Sequence, residues 1–242
     1  MLINSDVGES YGAWTMGNDI ALFPYLDMAN IACGFHASDP LIMMNTLNLA
    51  AQHHVKVGAH PGYNDKLGFG RRPIKHSHDE IRALIAYQVG ALKSLAALSG
   101  VRVSYIKPHG ALYNSMMADR ELFEVIAETA GQLALPLMVL SCPQHEQLSN
   151  IAAKYHTTLI FEVFIDRHYD SKGYLLPRHH PSALINHYKD IQQRIQTLAQ
   201  GYIEPIEGER LYIPIDSACV HGDNLAAIAQ IAKIRQWIDT YS

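Results

Sequence analysis

Short apolar runs of strand length alternate with stretches of helical period almost from end to end of this chain. The strand-type runs are Leu2–Val7, Met28–Cys33, Val55–His60, Val103–Lys107, Leu137–Leu140, Thr158–Glu162 and Leu211–Ser217. Between them, helices are predicted over roughly 40–53, 78–99, 119–134, 144–154, 182–200 and 223–240. Within 78–99, Ile81, Leu84, Ile85, Val89, Leu92 and Leu95 keep one apolar face, while Asp79, Glu80, Arg82 and Lys93 fill the other. Asp119 and Ser182 read as N-caps, and Gly100 and Gly201 as C-caps. Strands separated by helices need crossover connections and therefore form a mostly parallel sheet. Seven such units in 242 residues suit an irregular seven-stranded (βα) barrel, closed or nearly so, within the α/β class. The alternative is an open doubly wound sheet, which usually carries a Gly-rich phosphate turn after its first strand. Here that turn is Gly8-Glu9-Ser10-Tyr11-Gly12, with the wrong spacing. No linker, low-complexity tract or repeat divides the chain, so a single domain over 1–242 is expected. Two long loops, 61–77 and 163–181, are rich in Gly, Pro, Arg, Asp and His and are expected to be functional. The 202–210 stretch is expected to be an insertion or small hairpin.

The ends of the strand runs share one grammar. Ser5-Asp6-Val7-Gly8-Glu9, Cys33-Gly34-Phe35-His36, Gly58-Ala59-His60-Pro61, Lys107-Pro108-His109-Gly110 and Cys219-Val220-His221-Gly222-Asp223 each place a titratable side chain where an apolar run stops. In a βα barrel such positions face a common mouth. A lone histidine is more often a satisfied polar residue than a ligand, but several at equivalent strand ends point to a site. Asp6, His36 and His60 form a set suited to a divalent cation. The same residues suit metal-free acid–base work, and their spacing does not choose between the two. Lys107 and His109 can bind an anion or polarise a carbonyl, and Asn114, one turn later, can supply an amide. Arg71 and Arg72 follow Gly68-Phe69-Gly70, so they can clamp an anionic group from a mobile lid. Glu9 sits beside Asp6, and Glu162, Asp166 and Arg167 surround the end of the sixth run. His221 and Asp223 end the last run, where a helix start offers backbone N–H groups to an anion.

Charge and cysteine content narrow the class. Net charge is −4, from 19 basic and 23 acidic residues, and the basic residues form no runs, which argues against nucleic-acid or membrane-surface binding. Three cysteines, Cys33, Cys142 and Cys219, are an odd and sparse set that argues against a disulfide framework and suits a reducing compartment. A catalytic thiol is the less common outcome for cysteines at buried strand ends. There is no leader-type N-terminal segment, and no apolar run approaches the ~18 residues that span a bilayer, so a cytoplasmic location is expected.

Six segments in order resemble the LamB/YcsF family: Asn4–Glu9, Asn30–Ala37, Gly58–Pro61 with Gly68–Arg72, Lys107–Asn114, Glu162–Phe164 with Asp166-Arg167, and Cys219–Asp223. The sequence departs from the family pattern at Ser38, where Gly is common, at Asn224, where Thr is usual, and at Ser171-Lys172, usually more acidic. The resemblance implies a barrel of the glycoside hydrolase/deacetylase type. It also implies ATP-consuming opening of 5-oxoproline to L-glutamate, in a complex with two further subunits, of B and C type. The chain has no Gly-x-x-x-x-Gly-Lys-Ser/Thr loop, so the nucleotide site is expected largely on the partners. On this reading Asp6, His36, His60, Lys107 and His109 are catalytic. Glu9, Arg71, Arg72, Asn114, Glu162, Asp166, Arg167, His221 and Asp223 bind substrate. A second copy of the chain is a further partner the sequence allows. Two rival readings are a stand-alone metal-dependent amide hydrolase or deacetylase, and a non-catalytic substrate-delivery subunit.

Overall fold

Apolar runs bounded by turns become strands here because both faces of each are covered, one by helices and one by the interior of a closed ring. The computed structural model describes residues 1–185, 187–221 and 228–241. Its strands are β1 (Leu2–Val7), β2 (Met28–Ala32), β3 (Lys56–His60), β4 (Val103–Ile106), β5 (Leu137–Leu140), β6 (Leu159–Phe164), β7 (Tyr202–Ile203), β8 (Leu211–Tyr212) and β9 (Ser217–Cys219). The order β1-β2-β3-β4-β5-β6-β9 closes on itself, and every pairing in the ring is parallel. The expected barrel is therefore the observed one.

Helices cover the outside: α2 (Pro40–His53), α3 (His78–Leu98), α4 (Gly110–Ala118), α5 (Arg120–Gln132), α6 (His145–Ala153) and α7 (Tyr188–Ala199), with a short α1 (Asp19–Leu22) and a last helix over Ile231–Tyr241. Their starts follow local chemistry. Asp39 caps α2 by accepting from Leu41 and Ile42 N–H, Ser77 and Glu80 form a capping box on α3, and Asp119 caps α5. By length and composition α3 could cross a bilayer. Here its apolar stripe, including Ile81, Ile85, Val89 and Leu92, is buried in the core.

Strand geometry decides what reaches the mouth. Side chains alternate across a strand, and the inward positions are Asn4 and Asp6 on β1, Asn30 on β2, Gly58 and His60 on β3, and Tyr105 then Lys107 along β4. Met28, Tyr105 and Met138, with Ile160, pack a small separate apolar cluster. Gly58 pairs with Tyr105 across a register irregularity, and a Cβ at 58 would lie 2.2 Å from the Tyr105 ring. Gly58→Ala is therefore expected to destabilise the fold by about 1–3 kcal/mol through overpacking. Urea midpoints check this, and an unchanged midpoint would show that the ring yields freely.

Several boundaries differ from expectation. The 211–217 run splits in two: Leu211–Tyr212 pairs antiparallel with Tyr202–Ile203 as a small hairpin, and only Ser217–Cys219 joins the barrel. Pro214, which has no N–H to give a ladder, lies at the break. The sixth strand continues to Phe164, so Glu162 lies within it and points inward rather than ending it. Helix α4 precedes the predicted 119–134 helix, hidden in sequence by its brevity and by four buried residues, Ala111, Leu112, Tyr113 and Met116. The 182–200 helix starts only at Tyr188 with His187 as its N-cap residue. Ser182 is thus not a cap, because Ala183 O accepts from His168 N–H and Leu184 bridges Arg167. Gly100 and Gly201 each follow the cap residue of a helix at φ 70° and 80°. The start of the predicted 223–240 helix lies outside the described residues.

Candidate active site

A cavity of about 450 Å³ opens at the C-terminal ends of the barrel strands, lined by Asp6, Glu9, His60, Arg71, Lys107, His109, Asn114, Arg167, Arg178 and His221 among others. At its floor, Lys107 Nζ lies 2.9 Å from Asp6 Oδ1 and 3.0 Å from Glu162 Oε2. Cys219 Sγ is 3.4 Å from the same ammonium. All four residues are buried. Burial alone would strip the proton from Lys107, but the Asp6 and Glu162 carboxylates outweigh it and hold the ammonium well above its ordinary value. Burial likewise opposes ionisation of Asp6, yet His60 and Lys107 prevail and keep its carboxyl well below the usual range. The pair stays charged across neutral pH.

Uncharged groups hold Asp6 in place. Asn30 Nδ2 donates to Asp6 Oδ1 and to Asn4 Oδ1, each at 2.8 Å, and Tyr105 OH donates to Asn30 Oδ1 at 2.6 Å. Asn4 Nδ2 in turn donates to Ser217 Oγ at 2.8 Å. Asn4, Asn30 and Tyr105 are absent from the expected site residues. For the two asparagines the signal is an amide inside an otherwise apolar strand run, on the inward parity of Asp6.

Three imidazoles crowd the other side. His60 Nδ1–H donates to Lys107 O at 2.7 Å, and His109 Nε2–H donates to Phe69 O at 2.8 Å. A carbonyl oxygen only accepts, so these contacts place a hydrogen on His60 Nδ1 and on His109 Nε2. The remaining nitrogens, His60 Nε2 and His109 Nδ1, face each other at 2.9 Å. His36 stacks on His109 with ring centroids 3.7 Å apart and planes 3° from parallel. Burial, together with the neighbouring imidazoles, pushes His36 and His109 well below the ordinary histidine range. Donor atoms of Glu9, His36, His60 and His109 all lie within 4.8 Å of one another, a buried group able to hold a metal ion. Asp6, expected as a ligand with His36 and His60, is not in that group. Its Oδ1 is engaged by Lys107 and Asn30, while its Oδ2 lies 3.4 Å from His60 Nε2 at the edge of the group that Glu9 and His109 complete.

The loop after β3 wraps this cluster closely. Gly70 has φ 62°, and a Cβ there would sit 2.6 Å from His36 Cβ and 2.8 Å from His109 Cδ2. Asp65 ties the loop by accepting from Gly68 N–H and pairing with Arg72. Arg71 and Arg72 therefore part company. Arg71 lines the cavity, whereas Arg72 is drawn to Asp65 with its side chain 64% exposed, so the two arginines do not reach into the cavity together. Arg167 is buried, donating to Ala183 O and Leu176 O, and so braces the second long loop. His221 Nδ1 lies 2.9 Å from Asp166 Oδ1 on the far wall, its ring stacked on Phe164. Asn114 is at the exposed rim. Asp223 lies outside the described residues. All three cysteines are free and buried, and burial pushes the Cys33 thiol up to about 12 and the Cys219 thiol well above its ordinary value, so neither supplies a thiolate.

Asp19 supports the turn that carries Glu9, accepting from Gly8 N–H at 2.8 Å. Burial raises its carboxyl to about 6, against the Gly8 and Thr46 hydrogen bonds. A carboxyl raised above its unfolded value contributes stability at low pH and loses it as pH climbs through the folded value. Stability is thus expected to fall by about 2 kcal/mol between pH 4 and 7 on this account. Asp19→Asn keeps the acceptor and should flatten that slope in urea titrations. An unaltered slope would locate it elsewhere.

The whole chain, residues 1–242, matches the family model described as LamB/YcsF. The chain belongs to the LamB/YcsF family. Relatives in it include the 5-oxoprolinase A subunit of Vibrio campbellii, 46% identical over 241 residues and covering 99% of this chain and 96% of that protein. Another is the 5-oxoprolinase A subunit of Pseudomonas fluorescens, 43% identical over 245 residues with 100% and 98% coverage. A lactam utilization protein from Thermus thermophilus superposes with TM-score 0.89 at 35% identity, over 99% of this chain and 96% of that one. These LamB/YcsF relatives span the same length as the barrel described here. Their names point to 5-oxoprolinase or lactam chemistry, of a hydrolase kind, and a protein named as one lettered subunit implies others in a complex.

Proposed function

We propose that this chain, a single domain, is the lactam-opening A-type component of a cytoplasmic 5-oxoprolinase that converts 5-oxoproline to L-glutamate with consumption of ATP. Two further subunits, of B and C type, supply most of the nucleotide site. The observation that carries the reading is the buried Asp6–Lys107–Glu162 group at the floor of a cavity whose rim holds arginines. An unstrained lactam is a poor electrophile, and its reclosure is favoured because amine and acid share one chain. That is why coupling to phosphoryl transfer helps.

In this scheme Arg71 takes the substrate carboxylate, and Lys107 faces the lactam carbonyl. Asp6 accepts a proton from the attacking water while the carbonyl carbon becomes tetrahedral, and Lys107 stabilises the oxygen that gains charge. The partner subunits transfer the ATP phosphoryl group to that oxygen, the carbon–nitrogen bond breaks as His221, oriented by Asp166, delivers a proton to nitrogen, and water releases phosphate from the resulting acyl phosphate to leave glutamate. Glu162 keeps Lys107 charged throughout. The test is glutamate release from 5-oxoproline and ATP, with and without the two partner subunits. Glutamate from the complex but not from the lone chain is expected. Glutamate from the lone chain without ATP would support a stand-alone amide hydrolase instead.

A further inference from the structure

Around the mouth, Asp6, Glu9, Glu162 and Asp166 are buried carboxylates, while the buried cations are Lys107 and Arg167. Lys107 is already shared between two of those carboxylates, and Arg167 is spent on backbone carbonyls. Beside these carboxylates, the histidine cluster is built to receive a cation. With Nδ1–H of His60 and Nε2–H of His109 each donated to a carbonyl, the other nitrogens of the two rings point at one another 2.9 Å apart, and in the uncharged rings both carry lone pairs. Two facing lone pairs repel unless something positive lies between them. Backbone carbonyls that orient ligand imidazoles in this way are the usual outer shell of a metal site.

We propose that Glu9, His60 and His109 ligate a divalent transition-metal ion of the zinc class, with His36 on the fourth side; this rests on the lactam-opening reading only for its use in catalysis. Bonds of about 2.0–2.1 Å at tetrahedral angles place donor atoms about 3.3–3.4 Å apart. Glu9 Oε1 is 3.5 Å from His109 Nδ1, close to that span, and the 2.9 Å between His60 Nε2 and His109 Nδ1 opens by about 0.4 Å to admit the ion. His36 is 1% exposed, and neither of its ring nitrogens makes a hydrogen bond among the described residues. Because its ring lies parallel to that of His109, the two cannot both aim in-plane lone pairs at one ion. His36 therefore guards the fourth position or turns its ring to fill it, and three protein ligands with an open position is the catalytic pattern. Imidazole and carboxylate together favour zinc, cobalt or nickel over magnesium or calcium. Such an ion would acidify a neighbouring water, which suits Asp6, a carboxylate too weakly basic to activate bulk water alone.

The test uses the full-length chain, stripped with chelator and titrated with Zn²⁺ by calorimetry and with Co²⁺ by visible absorption. One equivalent should bind, and Co²⁺ should show the intense bands of a low-coordinate nitrogen–oxygen site. His60→Ala and His109→Ala should each weaken binding at least about 100-fold, and Glu9→Gln, the conservative change, should weaken it without loss of the helical circular-dichroism signal. His221→Ala should bind as the parent does. A folded parent that takes up no Zn²⁺ at millimolar concentration, or variants that bind equally well, would overturn the proposal. The His60–His109 contact would then be a shared proton. Metal bound by a chain that yields no glutamate with its partners would sink the lactam reading and leave the metal site standing. Full glutamate formation by metal-free protein would overturn the ion's use in catalysis and leave the lactam reading standing.

Discussion

Lys107→Met should lower glutamate formation by the reconstituted complex at least about 10³-fold, because the charge that stabilises the developing oxyanion is gone. The same change leaves Asp6 and Glu162 buried without their shared cation, at a cost of about 3–5 kcal/mol in fold stability. The two effects separate by pH. In the parent, the Asp6 carboxyl is held below its unfolded value, so its contribution is present above about pH 4 and is lost as pH falls further. Without Lys107, burial should raise the Asp6 carboxyl above its unfolded value, so the variant should gain stability on acidification from pH 7 to 5. Lys107→Arg, which keeps the charge in a larger planar group, should recover stability but little turnover. Turnover near that of the parent in either variant would remove Lys107 from the chemistry.

Asp6→Asn should reduce kcat by about 10²–10⁴-fold with little change in KM, as expected when a proton acceptor is lost while the substrate's contacts remain. The fold should lose less stability than with Lys107→Met. The amide keeps an oxygen for Lys107 and Asn30, and Glu162 still pairs with the ammonium. Steady-state kinetics of the complex on 5-oxoproline decide the matter. A raised KM with unchanged kcat would make Asp6 a binding group rather than the base.

The barrel is legible because strand length, apolar content and helical period repeat seven times, and because side-chain parity carries Asp6, His60, Lys107 and His221 to one end. What the strand ends do not reveal is which neighbour each polar group will choose. Asp65 lies seven residues before Arg72 and looks like any loop acid, yet it draws that arginine out of the mouth. Glu9 lies beyond the end of β1 and gives no sign in sequence of joining the histidines, because its approach depends on how the Gly8 turn, at φ 68°, is folded. The split at Pro214 is written in the sequence, but the apolar residues on both sides of the proline mask it. Ser38 adopts φ 70°, the left-handed backbone that glycine tolerates best, at some conformational cost.

The central claim is that the substrate ring sits between Asp6 and Lys107, and a crystal structure of Asp6→Asn protein with 5-oxoproline tests it most directly. The lactam oxygen is expected within about 3.2 Å of Lys107 Nζ, with the carboxylate toward Arg71. A lactam found outside the barrel mouth, or turned with its carbonyl away from Lys107, would contradict the account.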